Sequence, residues 1–421
     1  MIPRQAPRPF GSGSIKERKM IPEFKNYTKE NKCEHRWGTL YSFSGVTHDG
    51  YKEYIDRLKK AGYEPYDKNE IDENLFVTMV RGDEQVNVAY YPKVVINNYH
   101  YPVLKPDGHH DYNIPHLKDV TEDSVMKVSV TGLGFLPELS APAFERLAEP
   151  TVTQMKLIGV GMSYVIQLSD GSFIIIDGGI GAEGSLEYHL DFLESRKPDS
   201  HGKPRVAWFF THAHPDHTIL PVRFMEKYGD RVEVTLFAHS LIDETSDYAK
   251  TLVDVDKNGV DALRDTVRKS GARQLVFHTG QIIRLAGCDV HILNTYEDTY
   301  PQPIGTLNST SCIFKMVFKD KDEQRSVLIV GDSTETNTSF VNAVYSKDTL
   351  KSDILQVAHH GLNASVGTQH LREFYANVAP KTALFSSPEK VVTNAAFSPN
   401  LSLFAAKWIY ADEENTVTIF D

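Results

Sequence analysis

The sequence predicts an α/β protein preceded by a small α+β module, and three observations carry that expectation. From Met155 onward, apolar runs of strand length alternate with stretches of helical period. Several of those runs end alike, on Asp, His or Gly directly after the last apolar residues, as in Ile176-Asp177-Gly178, Phe210-Thr211-His212 and Val330-Gly331-Asp332. Ahead of that region the pattern differs, with one helix set among strands and no βα alternation.

Residues 1–30 begin with Pro3, Pro7, Pro9 and the run Gly11-Ser12-Gly13-Ser14, lack the apolar stretch of a signal peptide, and read as a disordered extension. The small module is expected over residues 31–150. Residues 39–43 read as a strand. A helix follows, with Asp49 as its N-cap, Tyr51, Tyr54, Ile55, Leu58 and Ala61 along one face, and Gly62 placed to end it in the left-handed conformation. Residues 75–80 and 86–91 flank Arg81-Gly82-Asp83-Glu84, a hairpin signal. Residues 97–123 carry His100, His109, His110 and His116 among Pro, Gly and Asp, and read as a long loop. No ligand spacing recurs there, so no metal site is assigned to it.

The main domain is expected over residues 151–421. Two short strands, 164–168 and 172–176, are joined by Asp170-Gly171, and a helix spans 186–194. Strand 206–210 runs straight into Thr211-His212, and a helix at 220–228 and a strand at 232–237 follow. A helix-rich section reaches about residue 270, and apolar strands recur at 327–330 and 353–357.

With 41% hydrophobic residues the chain has the apolar content of a protein with a real core. The formal net charge of −11, with no basic stretch interleaved with aromatics, argues against a nucleic-acid partner and leaves a small-molecule substrate as the expectation. Cys33, Cys288 and Cys312 are odd in number and form no CxxC pair, which argues against both a disulfide framework and a thiolate zinc site. No apolar run of about 18 residues occurs, so no membrane span and a cytoplasmic location are expected. Oligomeric state is left open.

The chemistry concentrates in His212-Ala213-His214-Pro215-Asp216-His217. Four metal-capable side chains in six residues, at the end of a buried strand, crowd imidazoles and a carboxylate that must each find a partner. A divalent cation answers that need. His212 and His214 can reach one ion from a turn, while Asp216 and His217 can face a neighbouring one. Strand ends also carry Asp177, Asp332 and the pair His359-His360. A nucleophile of the protein's own is not indicated, since there is no Gly-x-Ser-x-Gly elbow and no Cys beside these residues.

With these motifs over about residues 155–421, the chain resembles the metallo-β-lactamase superfamily, which implies an αββα metallo-β-lactamase sandwich. The resemblance implies that Asp177 orients a histidine ligand from behind, that Asp332 bridges two metal ions, and that the last ligand comes from His359-His360-Gly361. Both histidines remain candidates, with His360 preferred because it precedes Gly361. A histidine that many relatives supply before the bridging aspartate is not identifiable among His239, His278 and His291. Instead Asn308-x-x-Ser311 resembles the branch of ComEC-like competence-channel hydrolases and phosphorylcholine esterases, with Asn308 in the missing ligand's neighbourhood. The first metal position is then open or weakly held.

The metal ligands implied are His212, His214, Asp216, His217, Asp332 and His360, holding two divalent ions, zinc first, with manganese or iron as alternatives. The function implied is a metal-dependent hydrolase acting on a phosphoester or related small ester through a metal-activated water. Asp216 would add proton-shuttle duty, and His359 would stabilise developing charge or protonate the leaving group. Competing readings are a ComEC-like nuclease and a catalytically silent metal-binding scaffold. Pocket walls are expected from residues 181–185, 295–307 and 391–399.

Overall fold

In a computed structural model of the chain, residues 21–100, 116–157, 161–252, 254, 257–362, 369–393 and 406–420 are described. The first sheet is antiparallel, with strands β1 (Lys29–His35), β2 (Gly38–Ser44), β3 (Glu64–Ile71), β4 (Asn74–Arg81), β5 (Glu84–His100) and β6 (His116–Gly132) in the order β1-β2-β6-β5-β4-β3. Helix α1 (His48–Lys60) covers one of its faces, burying Tyr54, Ile55 and Leu58 against Phe43, Met79, Val86 and Val128. Its N-cap is Thr47, whose hydroxyl accepts from the Gly50 amide; Asp49 lies in the first turn, two residues further on, where its charge meets the positive end of the helix dipole. Because side chains alternate across a strand, Phe76, Ala89, Tyr91 and Val125 point the other way, into the rest of the chain.

Two expectations change in this region. The stretch read as a long loop continues β5 and β6 at both ends, paired out to His100↔His116, because ladder bonds satisfy its backbone whatever the polarity of its side chains. Residues 101–115, with His109 and His110, lie outside the described residues. The reading of residues 1–30 as an extension also needs shortening, because Phe24 is buried edge-on against Phe43 and Tyr54. Residues 1–20 lie outside the described residues.

The remainder is built on two seven-stranded sheets. The first contains β7 (Thr151–Gln154), β8 (Ser163–Gln167), β9 (Phe173–Asp177), β10 (Arg205–Phe210), β11 (Glu233–His239) and β12 (Arg273–Val276). The second runs in chain order through β13 (Ile282–Leu285), β14 (Cys288–Asn294), β15 (Ile313–Asp320), β16 (Glu323–Ile329), β17 (Ile354–Gln356), β18 (Thr382–Phe385) and β19 (Lys407–Tyr410), and β20 (Asn415–Thr418) returns to pair with β7. Between the sheets lie Ile174, Ile176, Ala207 and Phe209 from one and Phe314, Met316, Val327 and Ile329 from the other. Phe173, Ile175, Trp208 and Phe210 point outward beneath α2 (Ser185–Arg196), α3 (Pro215–Tyr228) and α4 (Lys257–Ser270). Two-sided burial explains why these strands read as continuous apolar runs.

Three more helices complete the part that concerns the site: α5 (Tyr296–Thr299), α6 (Glu335–Val344) and α7 (Lys347–Leu350). With Val341 of α6, the outer face of the second sheet buries Leu328, Leu355 and Ala383 alongside Phe76 and Tyr91 of the first sheet. The layers are therefore helix, sheet, sheet, helix, the expected α/β class. Among the described residues no helix is long and apolar enough to cross a membrane.

The antiparallel sheet docks on the sandwich through buried polar contacts. Lys127 donates to the Tyr300 carbonyl, Ser129 donates to Glu297 at 2.8 Å, and Tyr91 donates to Asp298 at 2.6 Å. Arg36 pairs with the buried carboxylates Asp243 and Glu244 at 3.0 and 2.6 Å. This corrects part of the pocket-wall expectation. Residues 296–299 form α5 and are spent on that interface, whereas Thr306 and Leu307 hydrogen-bond Asp254 beside His214. Of residues 391–399, those from 394 onward lie outside the described residues.

Candidate metal centre

Four strand ends, from one parallel pair in each sheet, build the site at one edge of the sandwich, the usual place for ligands in such sheets. Strand β9 ends on Asp177, and β10 delivers Thr211-His212. His214 then stands at the N-cap of α3 with Pro215 at the first helical position, where no amide proton is missed, so Asp216 and His217 sit on the first turn. Strand β16 leads through Gly331 to Asp332, and β17 leads to His359-His360. Asp177, His359 and His360 hold φ values of 56°, 48° and 60°, sparsely populated for side-chain-bearing residues. Such strain persists where the surroundings over-determine it, often at functional sites. Gly331 is required where it is: at φ +56°, an added Cβ would lie 2.8 Å from Thr211 Cβ.

The side chains converge as two groups whose donor atoms lie within 4.8 Å of one another, His212, His214 and Asp332 in one, Asp216, His217 and His360 in the other. In the first, His212 Nε2 and His214 Nδ1 face each other at 3.0 Å. In the second, Asp216 Oδ2 is 3.2 Å from His360 Nε2 and 3.9 Å from His217 Nε2. Asp332 joins them, with Oδ2 at 3.2 Å from His217, 3.3 Å from His360 and 3.9 Å from His212.

The outward ring nitrogens are hydrogen-bonded elsewhere. Asp177 accepts from His217 Nδ1 at 2.7 Å, from the Thr211 hydroxyl at 2.7 Å and from the Thr211 amide at 2.9 Å. With its proton given to Asp177, the Thr211 oxygen accepts from His212 Nδ1 at 3.1 Å. Asp254 accepts from His214 Nε2 at 2.9 Å. The inner nitrogens of three imidazoles are thereby left for one centre, the arrangement by which surrounding groups prepare metal ligands.

The residues fit divalent ions. His217 Nε2, His360 Nε2 and Asp332 Oδ1 are buried without a well-formed hydrogen bond, although carboxylate oxygens lie 3.2–3.3 Å from both imidazoles. Atoms this close yet misaligned for one another are aimed at a common point. Burial alone would push the Asp332 carboxyl up, but the His360 and His217 imidazoles outweigh it and hold it well below the ordinary carboxylate value. Burial likewise works against charge on His360, and Asp332 and Asp216 overcome it, raising that imidazole to about 9. The carboxylates thus call for positive charge at the centre.

Residues 158–234, which include Asp177 and the His212–His217 motif, match the family model of the Metallo-beta-lactamase superfamily. The layered α/β fold is consistent with the metallo-β-lactamase fold. Among solved structures, the chain is similar to the metallo-β-lactamase-fold protein YhfI from Bacillus subtilis at 14% identity and TM-score 0.39, covering 64% of this chain and 100% of that one. It is similar to the diiron β-hydroxylase CmlA from Streptomyces venezuelae at 13% identity and TM-score 0.38, covering 65% of this chain and 54% of CmlA. It is also similar to the di-zinc metallo-β-lactamase LRA-12 from an Alaskan soil metagenome, at 17% identity and TM-score 0.25, covering 47% and 68%. No curated protein matches the chain.

The remaining candidates separate by position. His359 lies at the rim, its side chain 25% exposed and Nε2 3.9 Å from Asp332, whereas His360 is buried inside the second group. Asn308 Nδ2 donates to His359 Nε2 at 3.4 Å. His239, His278 and His291 join neither group: His239 is buried at the end of β11, His278 pairs with Glu297 at 2.9 Å, and His291 lies on β14. All three cysteines are buried and free. Sequence reasoning missed Asp254, which no neighbouring pattern marks, and Thr211, whose role depends on the fate of its hydroxyl proton.

Proposed function

We propose that this chain is a metallohydrolase that cleaves a phosphoester or related small ester with a metal-activated water. The observation that carries the reading is Asp332, whose Oδ2 stands between the two donor groups within 3.9 Å of His212, His217 and His360, as a bridging carboxylate must. His212 and His214 would hold one divalent ion, and Asp216, His217 and His360 the other, with Asp332 shared. When bound, the ion pair acidifies a water and acts as Lewis acid toward the attacked centre. Zinc suits the imidazole-rich donor set, with manganese and iron compatible with its carboxylates.

The chain's own residues do the rest. Asp177, Thr211 and Asp254 keep three imidazoles in ligating tautomers, so no reorganisation is needed at the moment of reaction. Asp216, on the helix turn beside His360, is placed to pass a proton. His359 at the rim is placed to meet charge developing on the leaving group. The absence of cysteine among both groups and the bridging carboxylate favour oxygen-preferring chemistry at phosphorus over lactam cleavage.

Elemental analysis of the purified full chain, followed by turnover on phosphomonoester, phosphodiester and carboxylic ester probes, tests this. The double variant His214→Ala with Asp216→Ala should lose bound metal and turnover together. Wild-type turnover in that variant, or a wild-type protein that takes up no divalent ion, overturns the proposal.

A further inference from the structure

The first donor group offers fewer protein ligands than the second. His212 Nε2, His214 Nδ1 and Asp332 supply three atoms, which with a shared water would complete a four-coordinate ion and leave room for one further protein donor. The second group has Asp216, His217 and His360 with Asp332 in addition.

We propose that the amide oxygen of Asn308 is the fourth protein donor at the position faced by His212 and His214, and makes it the weaker and more exchangeable of the two. This rests on the two-ion reading above. The turn Leu307–Thr310 is tied to the same carboxylate that holds His214: Thr306 Oγ1 donates to Asp254 Oδ2 at 2.6 Å and the Leu307 amide donates to Asp254 Oδ1 at 2.9 Å. That Oδ2 also accepts from His214 Nε2 at 2.9 Å. Asn308 is thus one residue beyond the anchor of a ligand of this position. On its other side, Nδ2 is spent on His359 Nε2, which lies 3.9 Å from Asp332.

The remaining atom, Oδ1, is buried without a hydrogen-bond partner in a residue only 9% exposed. A buried amide oxygen left so is costly, and a cation in front of it would remove that cost. A neutral carbonyl oxygen is a harder and weaker donor than imidazole, so the position should discriminate less strongly for zinc over manganese than a three-histidine set would.

Titration of the chelator-stripped full chain with Zn2+ and with Mn2+, reading stoichiometry and affinity while circular dichroism reports folding, tests the assignment. Wild type should take two equivalents. Asn308→Ala should keep one and weaken the other about tenfold to a hundredfold. Asn308→Asp keeps an oxygen donor but loses the N–H to His359, and should retain two equivalents. Asn308→His should tighten zinc relative to manganese at the weaker position. Two wild-type affinities in Asn308→Ala would overturn the proposal, as would an Asn308→Asp variant as impaired as Asn308→Ala, which would assign the effect to the His359 contact. A wild-type chain that binds no ion overturns the two-ion reading itself, and the inference with it.

Discussion

Changing Asp177 to Asn separates what this residue does for the fold from what it does for the metal. The carboxylate is fully buried and accepts three bonds, from the Thr211 amide at 2.9 Å, the Thr211 hydroxyl at 2.7 Å and His217 Nδ1 at 2.7 Å. Asp177→Ala strands three buried donors and should cost about 3–5 kcal/mol, the range for breaking a buried charged pair. Asp177→Asn keeps the shape. Its carbonyl must serve the Thr211 amide, which has only a proton to offer, so its NH2 group faces the hydroxyl and His217. The imidazole then accepts at Nδ1 and carries its proton on Nε2, the atom aimed at the second donor group. Stability should fall by only about 1–2 kcal/mol, because the hydroxyl can reverse its role. Affinity at the second position should fall about tenfold to a hundredfold. Urea denaturation of the chelated protein gives the first quantity and metal titration the second. Wild-type affinity in Asp177→Asn would refute the tautomer argument, and a variant as unstable as Asp177→Ala would show that Asp177 supplies charge and not bond direction.

Arg36→Ala removes the guanidinium facing two buried carboxylates, though Arg264 still pairs with Glu244 and the Arg36 amide with Asp243; about 2–4 kcal/mol of stability should be lost by urea denaturation, and an effect below about 0.5 kcal/mol would show that the sheet docks without it. His189 is buried between Ser163 and Ser185, and burial lowers it from 6.5 to about 4. Between those values the unfolded chain binds the extra proton, so this residue's contribution is intact above pH 6.5 and is lost as pH falls toward 4, by up to about 1.4 kcal/mol per pH unit. Stability measured from pH 4 to 7 should therefore rise less steeply in His189→Asn than in wild type, and parallel curves would contradict this. Gly331→Ala forces a Cβ against Thr211 at positive φ and should displace Asp332, costing about 1–3 kcal/mol and loosening both ions; unchanged metal stoichiometry and stability would show that the turn yields freely.

Sequence alone carried the layer pattern and the cluster. Apolar runs buried on both faces stand out by composition, and His212, His214, Asp216 and His217 are brought together by local geometry, a strand end, a capped turn and a first helical turn, which spacing can express. It was less informative where backbone pairing overrides side-chain polarity, as in β5 and β6, whose ends resemble a loop in composition. Tertiary structure alone decided the rest. Asp254 meets His214 across forty positions of chain, a contact that nothing local encodes. Left-handed backbone at both His359 and His360 sends one imidazole into the second donor group and leaves the other at the rim, a choice that adjacency in sequence does not make. Residues 296–299, which composition allowed as a pocket wall, are consumed by the docking sheet because Lys127, Ser129 and Tyr91 are buried polar groups that need partners there. Spacing determines which donors can share an ion; the meeting of distant strand ends determines which of them do.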